Sequence, residues 1–229
     1  MNIGQSPYHD FYDAHRETHY GLQKQRPENH SHYQVLREFI ENHALKDKRC
    51  LEIGSSTGMF QDVVDDYHGV DIAETLAPYY HKPYYKVAGP RYPFPDASFD
   101  AIWTLDVYEH IPDLQTALLE IVRLLKPGGV LLFAPAWQCR SWAANGYEVR
   151  PWSDFGLRGR LIKASIPIRN SVLFRATQLM PKRIFRTFMF GVGQRYAEIR
   201  YRKIRPNYEH YWISDADACN SIDPHDAIL

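Results

Sequence analysis

The sequence predicts an α/β fold, a doubly wound and mostly parallel sheet with helices on both faces and a mainly helical insertion toward its end. Three observations predict it. Short apolar runs alternate with amphipathic stretches from about residue 28 to residue 134. Several of these runs are apolar at successive positions, as strands covered on both faces are. The first run passes directly into a glycine-bearing turn, CLEIGSSTGMF at residues 50–60.

Each element follows from its local pattern. Glu28 to Ala44 carries Tyr33, Val35, Leu36, Phe39 and Ile40 near a 3.6-residue period, which predicts a helix. Cys50 to Ile53 is a strand, and Met59 to Asp65 a short helix opening from the turn. Tyr67 to Val70, ending at Asp71, and Tyr84 to Ala88 are the next two strands. Pro95, Asp96 and Ser98 set off a fourth strand, Phe99 to Leu105. Asp113 to Leu125 is an amphipathic helix, with Asp113 near its start and Pro127-Gly128-Gly129 to stop it. Val130 to Ala134 is the fifth strand. Ligands of such sheets bind at the carboxyl ends of the strands, near the reversal of strand order.

With 229 residues, 45% apolar and 24% charged, the chain is one domain, or one domain with a large insertion. A disordered, collagen-like or disulfide-stapled build is excluded. The three cysteines, Cys50, Cys139 and Cys219, form no C-x-x-C pair, so zinc-ribbon and dithiol chemistry are not expected. Unpaired cysteines fit a reducing, cytoplasmic compartment. The polar first twenty residues offer no secretory leader, and no apolar run is long enough to span a bilayer. The zero net charge conceals an asymmetry: residues 1–137 carry −7, residues 138–213 carry +11 and residues 214–229 carry −4. A step of this size marks either a solvated basic face or a surface that meets phosphate, an anionic substrate or a membrane.

The turn at residues 54–58 lacks the glycines of a dinucleotide fingerprint. Counting from Gly54, the second and third glycine positions hold Ser56 and Met59. A P-loop would end in Gly-Lys-Ser/Thr, which is absent. The pattern present is Glu52-x-Gly54-x-Ser56-x-Gly58, with a second acid, Asp71, 19 residues after Glu52. That is near the spacing at which a carboxylate accepts hydrogen bonds from ribose hydroxyls. A cofactor with a ribose and a cationic amino-acid group, but no phosphate, suits such a site.

Four ordered blocks carry a resemblance: residues 51–58 (LEIGSSTG), 69–72 (GVDI), 92–113 (YPFPDASFDAIWTLDVYEHIPD) and 124–133 (LLKPGGVLLF). They resemble the class I S-adenosylmethionine-dependent methyltransferases, specifically the type 11 group, over about residues 49–135. The resemblance implies a Rossmann-like core and S-adenosyl-L-methionine as cofactor. It implies that Glu52 and the loop Gly54, Ser55, Ser56 and Gly58 hold the methionine end. Asp71 then binds the ribose, Ile72 packs on the adenine, and Leu105 and Asp106 flank the sulfonium. Two positions depart from the family pattern. Ser56 replaces the middle glycine, and Ala88 stands where an acid often contacts the adenine, which leaves adenine recognition to packing and to backbone near Gly89.

The remaining site residues come from position and chemistry. His110, just beyond the fourth strand, is the candidate general base, since its ordinary pKa suits proton transfer. The alternative is that it only structures the loop. Asp106 is a positioning group, and Glu109 reads as solvated. Tyr12 and Tyr20 in the aromatic N-terminus are expected to cover the cofactor, and His15 and His19 lack the pattern of a metal site. Trp137, Arg140 and Trp142 are expected to meet the acceptor, with Arg140 pairing an acidic group. Residues 161–192 mix apolar residues with Arg and Lys. This stretch reads first as a cap that buries its apolar face, and second as a peripheral contact with the inner face of a membrane and a lipid-linked acceptor. The basic run 195–205 has no accompanying RNA-binding motif, so nucleic acid is not expected. Four regions result: an N-terminal lid (1–48), a cofactor-binding core (49–137), a basic acceptor cap (138–213), and residues 214–229 as the start of a core helix in a truncated sheet without its final strand pair. The expected function is methyl transfer to a small or amphiphilic acceptor. The alternatives are a non-catalytic binding or membrane-associated protein on the same fold, and a nucleotide-dependent oxidoreductase.

Overall fold

The computed structural model describes residues 11–12, 26–87, 89–193, 199–210 and 212–227. The chain divides into two compact units, Met1–Ala136 and Trp137–Leu229.

The first unit is built on five parallel strands: β1 (Arg49–Ile53), β2 (Asp66–Asp71), β3 (Tyr84–Lys86), β4 (Phe99–Leu105) and β5 (Leu125–Ala134). Their order is β3-β2-β1-β4-β5. β1 pairs with β2 on one side and β4 on the other, so the strand order reverses between β1 and β4. The crevice of a doubly wound sheet opens there, beyond Ile53 and Leu105.

Alternation along β2 sorts the two faces. Tyr67 joins Cys50, Ala101 and Trp103 under α1 (Tyr33–Asn42), which buries Leu36 and Ile40 against them. His68 points the other way, into an aromatic cluster with Tyr85, Phe94 and Phe99. α1 is shorter than the pattern predicts because Pro27–Asn29 forms a separate 3-10 turn ahead of it. All three cysteines are buried thiols, and burial pushes the Cys50 thiol up to about 12.

α2 (Leu114–Leu124) starts at Asp113, whose side chain accepts from the Thr116 N–H at 3.2 Å. Pro127-Gly128-Gly129 does not stop it. The helix has already ended at Leu124, where the carbonyls of Arg123 and Leu124 accept from the N–H groups of Ala97 and Ser98. The Pro-Gly-Gly segment lies inside β5, beside a register shift against β4 between Phe99 and Ala101. Gly128 takes a φ of +81° there, a conformation open to glycine.

Arg123 fastens α2 to the segment before β4. It donates to Glu120 through Nε (2.7 Å) and Nη2 (2.5 Å), to the Phe94 carbonyl at 2.8 Å and to Asp96 at 2.7 Å. Glu120, itself buried, also accepts from the Tyr92 N–H at 2.7 Å.

In the second unit, α3 (Leu157–Asn170) and α4 (Val172–Gly191) are separated only by Ser171, whose hydroxyl caps α4 by accepting from the Phe174 N–H. β6 (Tyr201–Lys203) and β7 (Asn220–Ile222) form an antiparallel sheet of their own. The final strand pair, expected to be missing, is therefore present, but apart from the parallel sheet. The tail does not start a core helix either. After β7 it makes one 3-10 turn, Pro224–Ala227, and its acids are taken by α4: Arg183 donates to Asp223 at 2.6 Å and Arg186 to Asp226. Arg150 lies over the rings of Phe155 (4.6 Å) and Trp212 (4.9 Å).

Removing Arg123 leaves a buried carboxylate unpaired, which typically costs about 3–5 kcal/mol. Arg123→Ala is expected to lower the unfolding free energy by that amount in urea denaturation. A loss within about 0.5 kcal/mol, as for a surface substitution, would show that the network is not buried in solution.

Candidate cofactor site

β1 delivers its chain into the crevice, but no helix follows. From Ser55 onward the chain makes successive three-residue turns: Gly58 N–H to the Ser55 carbonyl, Gln61 N–H to Gly58, and Val63 N–H to Phe60, at 2.9–3.1 Å. The helix expected at Met59–Asp65 is absent. Gly58 sits at φ +69°, outside helical conformation. The Gln61 side chain is also committed to the Tyr79 carbonyl and to the His81 and Lys82 N–H groups. The turn consequently offers no helix dipole to an anion, in keeping with a ligand that lacks phosphate.

The two glycines make room for protein side chains. A Cβ on Gly54 would lie 2.2 Å from Val107 Cγ2, and one on Gly58 would lie 2.6 Å from Tyr80 Cε1. The Tyr80 hydroxyl caps the turn, within 2.9 Å of the Ser55 carbonyl and 2.8 Å of the Ser56 carbonyl and the Ser55 hydroxyl. Ser56 stands at φ +46°, a left-handed conformation that costs a non-glycine residue energy and explains why glycine suits this place.

Two acids hold opposite roles around the turn. Asp71 closes β2 and points at the loop: it accepts from the Ser56 N–H at 2.9 Å, the Ile72 N–H at 2.7 Å and the Ala73 N–H at 3.3 Å. Glu52 is buried on β1 and accepts from the Tyr67 hydroxyl. Burial pushes its pKa up to about 8 although the Tyr67 hydrogen bond pulls the other way, so it carries its proton at neutral pH.

At the end of β4, Leu105 is half-buried against the α1 side of the core. Asp106 adopts φ +54° and turns its carboxylate to His32 Nε2 at 3.0 Å. His32 and His30 arrive from the segment just ahead of α1, and His30 stands edge-on to Phe60 of the turn with centroids 5.2 Å apart. Burial, reinforced by His32, lowers the His30 pKa, while Asp106 opposes it. This pair escaped the sequence reading. Its signal was the His-Ser-His at 30–32 directly before an amphipathic run.

The turn after β4 corrects another expectation. Glu109 is not solvated but fully buried, and burial pushes its pKa up to about 7 against the pull of His110 and backbone N–H groups. His110 Nε2 lies 3.5 Å from Glu109 Oε1, and its ring meets Tyr12 edge-on at 6.3 Å. Ile72 is half-buried and its N–H is held by Asp71, while Gly89 is exposed with open space on its side-chain side. Tyr20 and Ala88 lie outside the described residues. Trp137, Arg140 and Trp142 belong to the second unit. Trp137 is exposed, and the guanidinium groups of Arg140 and Arg169 lie 5.7 and 5.8 Å from the Trp142 ring.

The donor set suits S-adenosylmethionine. A carboxylate at the end of β2 matches ribose hydroxyls, and a second acid beside the turn, held neutral by burial, is ready to ionise toward a cation. The comparisons agree. A family described as methyltransferase domain matches residues 51–133. The tocopherol O-methyltransferase of Arabidopsis thaliana is 34% identical over 83 residues, 36% of this chain and 23% of that protein. The 2-methyl-6-phytyl-1,4-hydroquinone methyltransferase of Synechocystis sp. is 44% identical over 41 residues, 18% of this chain and 13% of that protein. The chain thus spans less than a quarter of the length of either relative. Among solved structures, an S-adenosylmethionine-dependent methyltransferase from Mesorhizobium loti has 16% identity and a TM-score of 0.44 over 49% of this chain and 56% of that one. The matched stretch, residues 51–133, is the one that holds the strand order and the acids Glu52, Asp71 and Asp106 described above, and it is similar to methyltransferase domains.

Proposed function

We propose that this protein transfers the methyl group of S-adenosylmethionine to a small amphiphilic acceptor at the carboxyl edge of its parallel sheet. The observation that carries the reading is the placement of two acids beside one turn, Asp71 at the end of β2 fastened to Ser56 and Glu52 buried on β1. The cofactor supplies a methyl group already activated on a sulfonium, so the protein's task is to bind, orient and exclude water. Orientation contributes ~7–11 kcal/mol in well-aligned systems.

Asp71 accepts from the ribose hydroxyls with the lone pairs its backbone partners leave, and Ile72 and the backbone at Gly89 contact the adenine. Glu52 faces the cationic methionine end with the loop Gly54, Ser55, Ser56 and Gly58. Leu105 and Asp106 line the reacting region, and Tyr12 and Tyr20 keep water out. His110, oriented by Glu109, accepts the proton of an acceptor hydroxyl, a role worth ~10²–10⁴-fold in rate. Asp106 holds His32 in place. Within the second unit, Trp142 offers an aromatic surface, Arg140 a cation and Trp137 an exposed ring, a set that suits a molecule with an apolar body and an acidic group. The relatives named for tocopherol, a phytyl hydroquinone and sterols support the amphiphilic class. A second reading, a non-catalytic protein that binds partners or lipid instead of the cofactor, is favoured by Val107 and Tyr80 standing against both glycines.

Isothermal titration separates the two. Saturable heat with S-adenosylmethionine below ~1 mM, the upper end of ordinary enzyme affinities, is expected; its absence supports the second reading. Asp71→Ala is expected to weaken that binding about 10–100-fold, the worth of one hydrogen bond to a charged group. Unchanged affinity would remove Asp71 from the site. The pKa of Glu52 in the fold, about 8, lies above its ordinary 4.5, so the acid is protonated at pH 7 and a cation favours its ionised form. Binding at pH 7 is therefore expected to release a proton, read as a dependence of the measured heat on buffer ionisation enthalpy, and Glu52→Gln is expected to abolish that release. Equal proton release from both proteins would place the cation elsewhere.

A further inference from the structure

α3 and α4 are built with their apolar sides outward. On α3, Leu157, Leu161, Ala164 and Ile168 fall at i, i+4, i+7 and i+11, one stripe of the helix, and all four are exposed. The opposite side is drawn inward by Lys163, whose Nζ donates to the carbonyls of Tyr147 and Arg150 at 2.5 and 2.9 Å. α4 repeats the arrangement. Leu173, Met180, Ile184 and Phe188 share one face, with Leu173 78% and Phe188 64% exposed. The other side carries Arg175, Arg183 and Arg186, held by Gln138, Asp223 and Asp226. None of the twenty residues of α4 is buried. A helix of a soluble domain normally does the reverse, and the expectation of a cap that buries its apolar face fails here.

The charge pattern identifies what covers this face. Residues 157–192 contain eight Lys and Arg and no Asp or Glu. Arg158 and Arg160 flank the α3 stripe, both exposed. A second copy would bring cations against cations with no acid to pair them. An anionic lipid surface complements both features, taking the apolar stripe into its acyl boundary and the cations at its headgroups. Among the described residues no helix is long and apolar enough to cross a membrane, so such contact lies in the plane of the surface.

We propose that α3 and α4 form a docking surface for an anionic membrane, with Leu161, Leu173, Ile184 and Phe188 inserted and Arg158 and Arg160 on the headgroups. The test is co-sedimentation of the full chain with liposomes of phosphatidylcholine alone or enriched in phosphatidylglycerol, without cofactor, so that its failure leaves the methyl-transfer reading untouched. Pelleting with the anionic liposomes at low salt, weakening as salt rises, is expected. Phe188→Glu and Ile184→Glu, both at exposed positions, are expected to abolish pelleting while far-ultraviolet circular dichroism is unchanged. Arg158→Gln and Arg160→Gln are each expected to reduce partitioning about fivefold, the worth of one cation near an anionic leaflet. Protein that stays in the supernatant with anionic liposomes at low salt overturns the proposal, as does undiminished pelleting of the Glu variants. A dimer in light scattering that Phe188→Glu dissociates overturns it too, by giving the face to a second copy.

Discussion

The site depends on one carboxylate. By accepting from the Ser56 N–H and from its own two following N–H groups, Asp71 joins the end of β2 to the turn that leaves β1. Without a helix after that turn, this bond and the Tyr80 hydroxyl join the backbone bonds to Val70 and within the turn in giving it a shape. The strained φ of Ser56 is sustained by them. Placement of the turn in the reversal crevice follows from the sheet order, which brings β4 and its Asp106 alongside.

Most of this sheet was legible in the sequence because its strands are bounded by turn chemistry and filled with apolar residues. Phe99–Leu105 was read to the residue, since Pro95, Asp96 and Ser98 mark its start and Asp106 its end. What failed were elements decided by distant partners. Met59–Asp65 follows a strand and a glycine turn, where a helix is expected to open, but Gln61 and Gly58 answer to Tyr79, Tyr80 and His81. Pro127-Gly128-Gly129 looks like a stop signal, yet the strand absorbs it through a register shift.

The site residues divide in the same way. Glu52, Asp71 and the loop were visible through spacing along one strand–turn–strand passage. Val107, Tyr80, Tyr67 and His32 were not, because their roles come from contacts between segments far apart in sequence. Glu109 was misread as solvated since a lone acid beside a histidine has no local mark of burial. In the second unit, apolar periodicity was read correctly as helical, but periodicity does not say which way a stripe points. The acids at Asp223 and Asp226 decided that by claiming the arginine side of α4.

The burial of all three thiols has a practical side. Cys50 sits beneath α1 with its ionisation suppressed, and only the thiolate reacts readily with alkylating reagents. Modification of Cys50 therefore has to wait for α1 to lift from the sheet, which makes this sulfur a built-in reporter of when the chain opens.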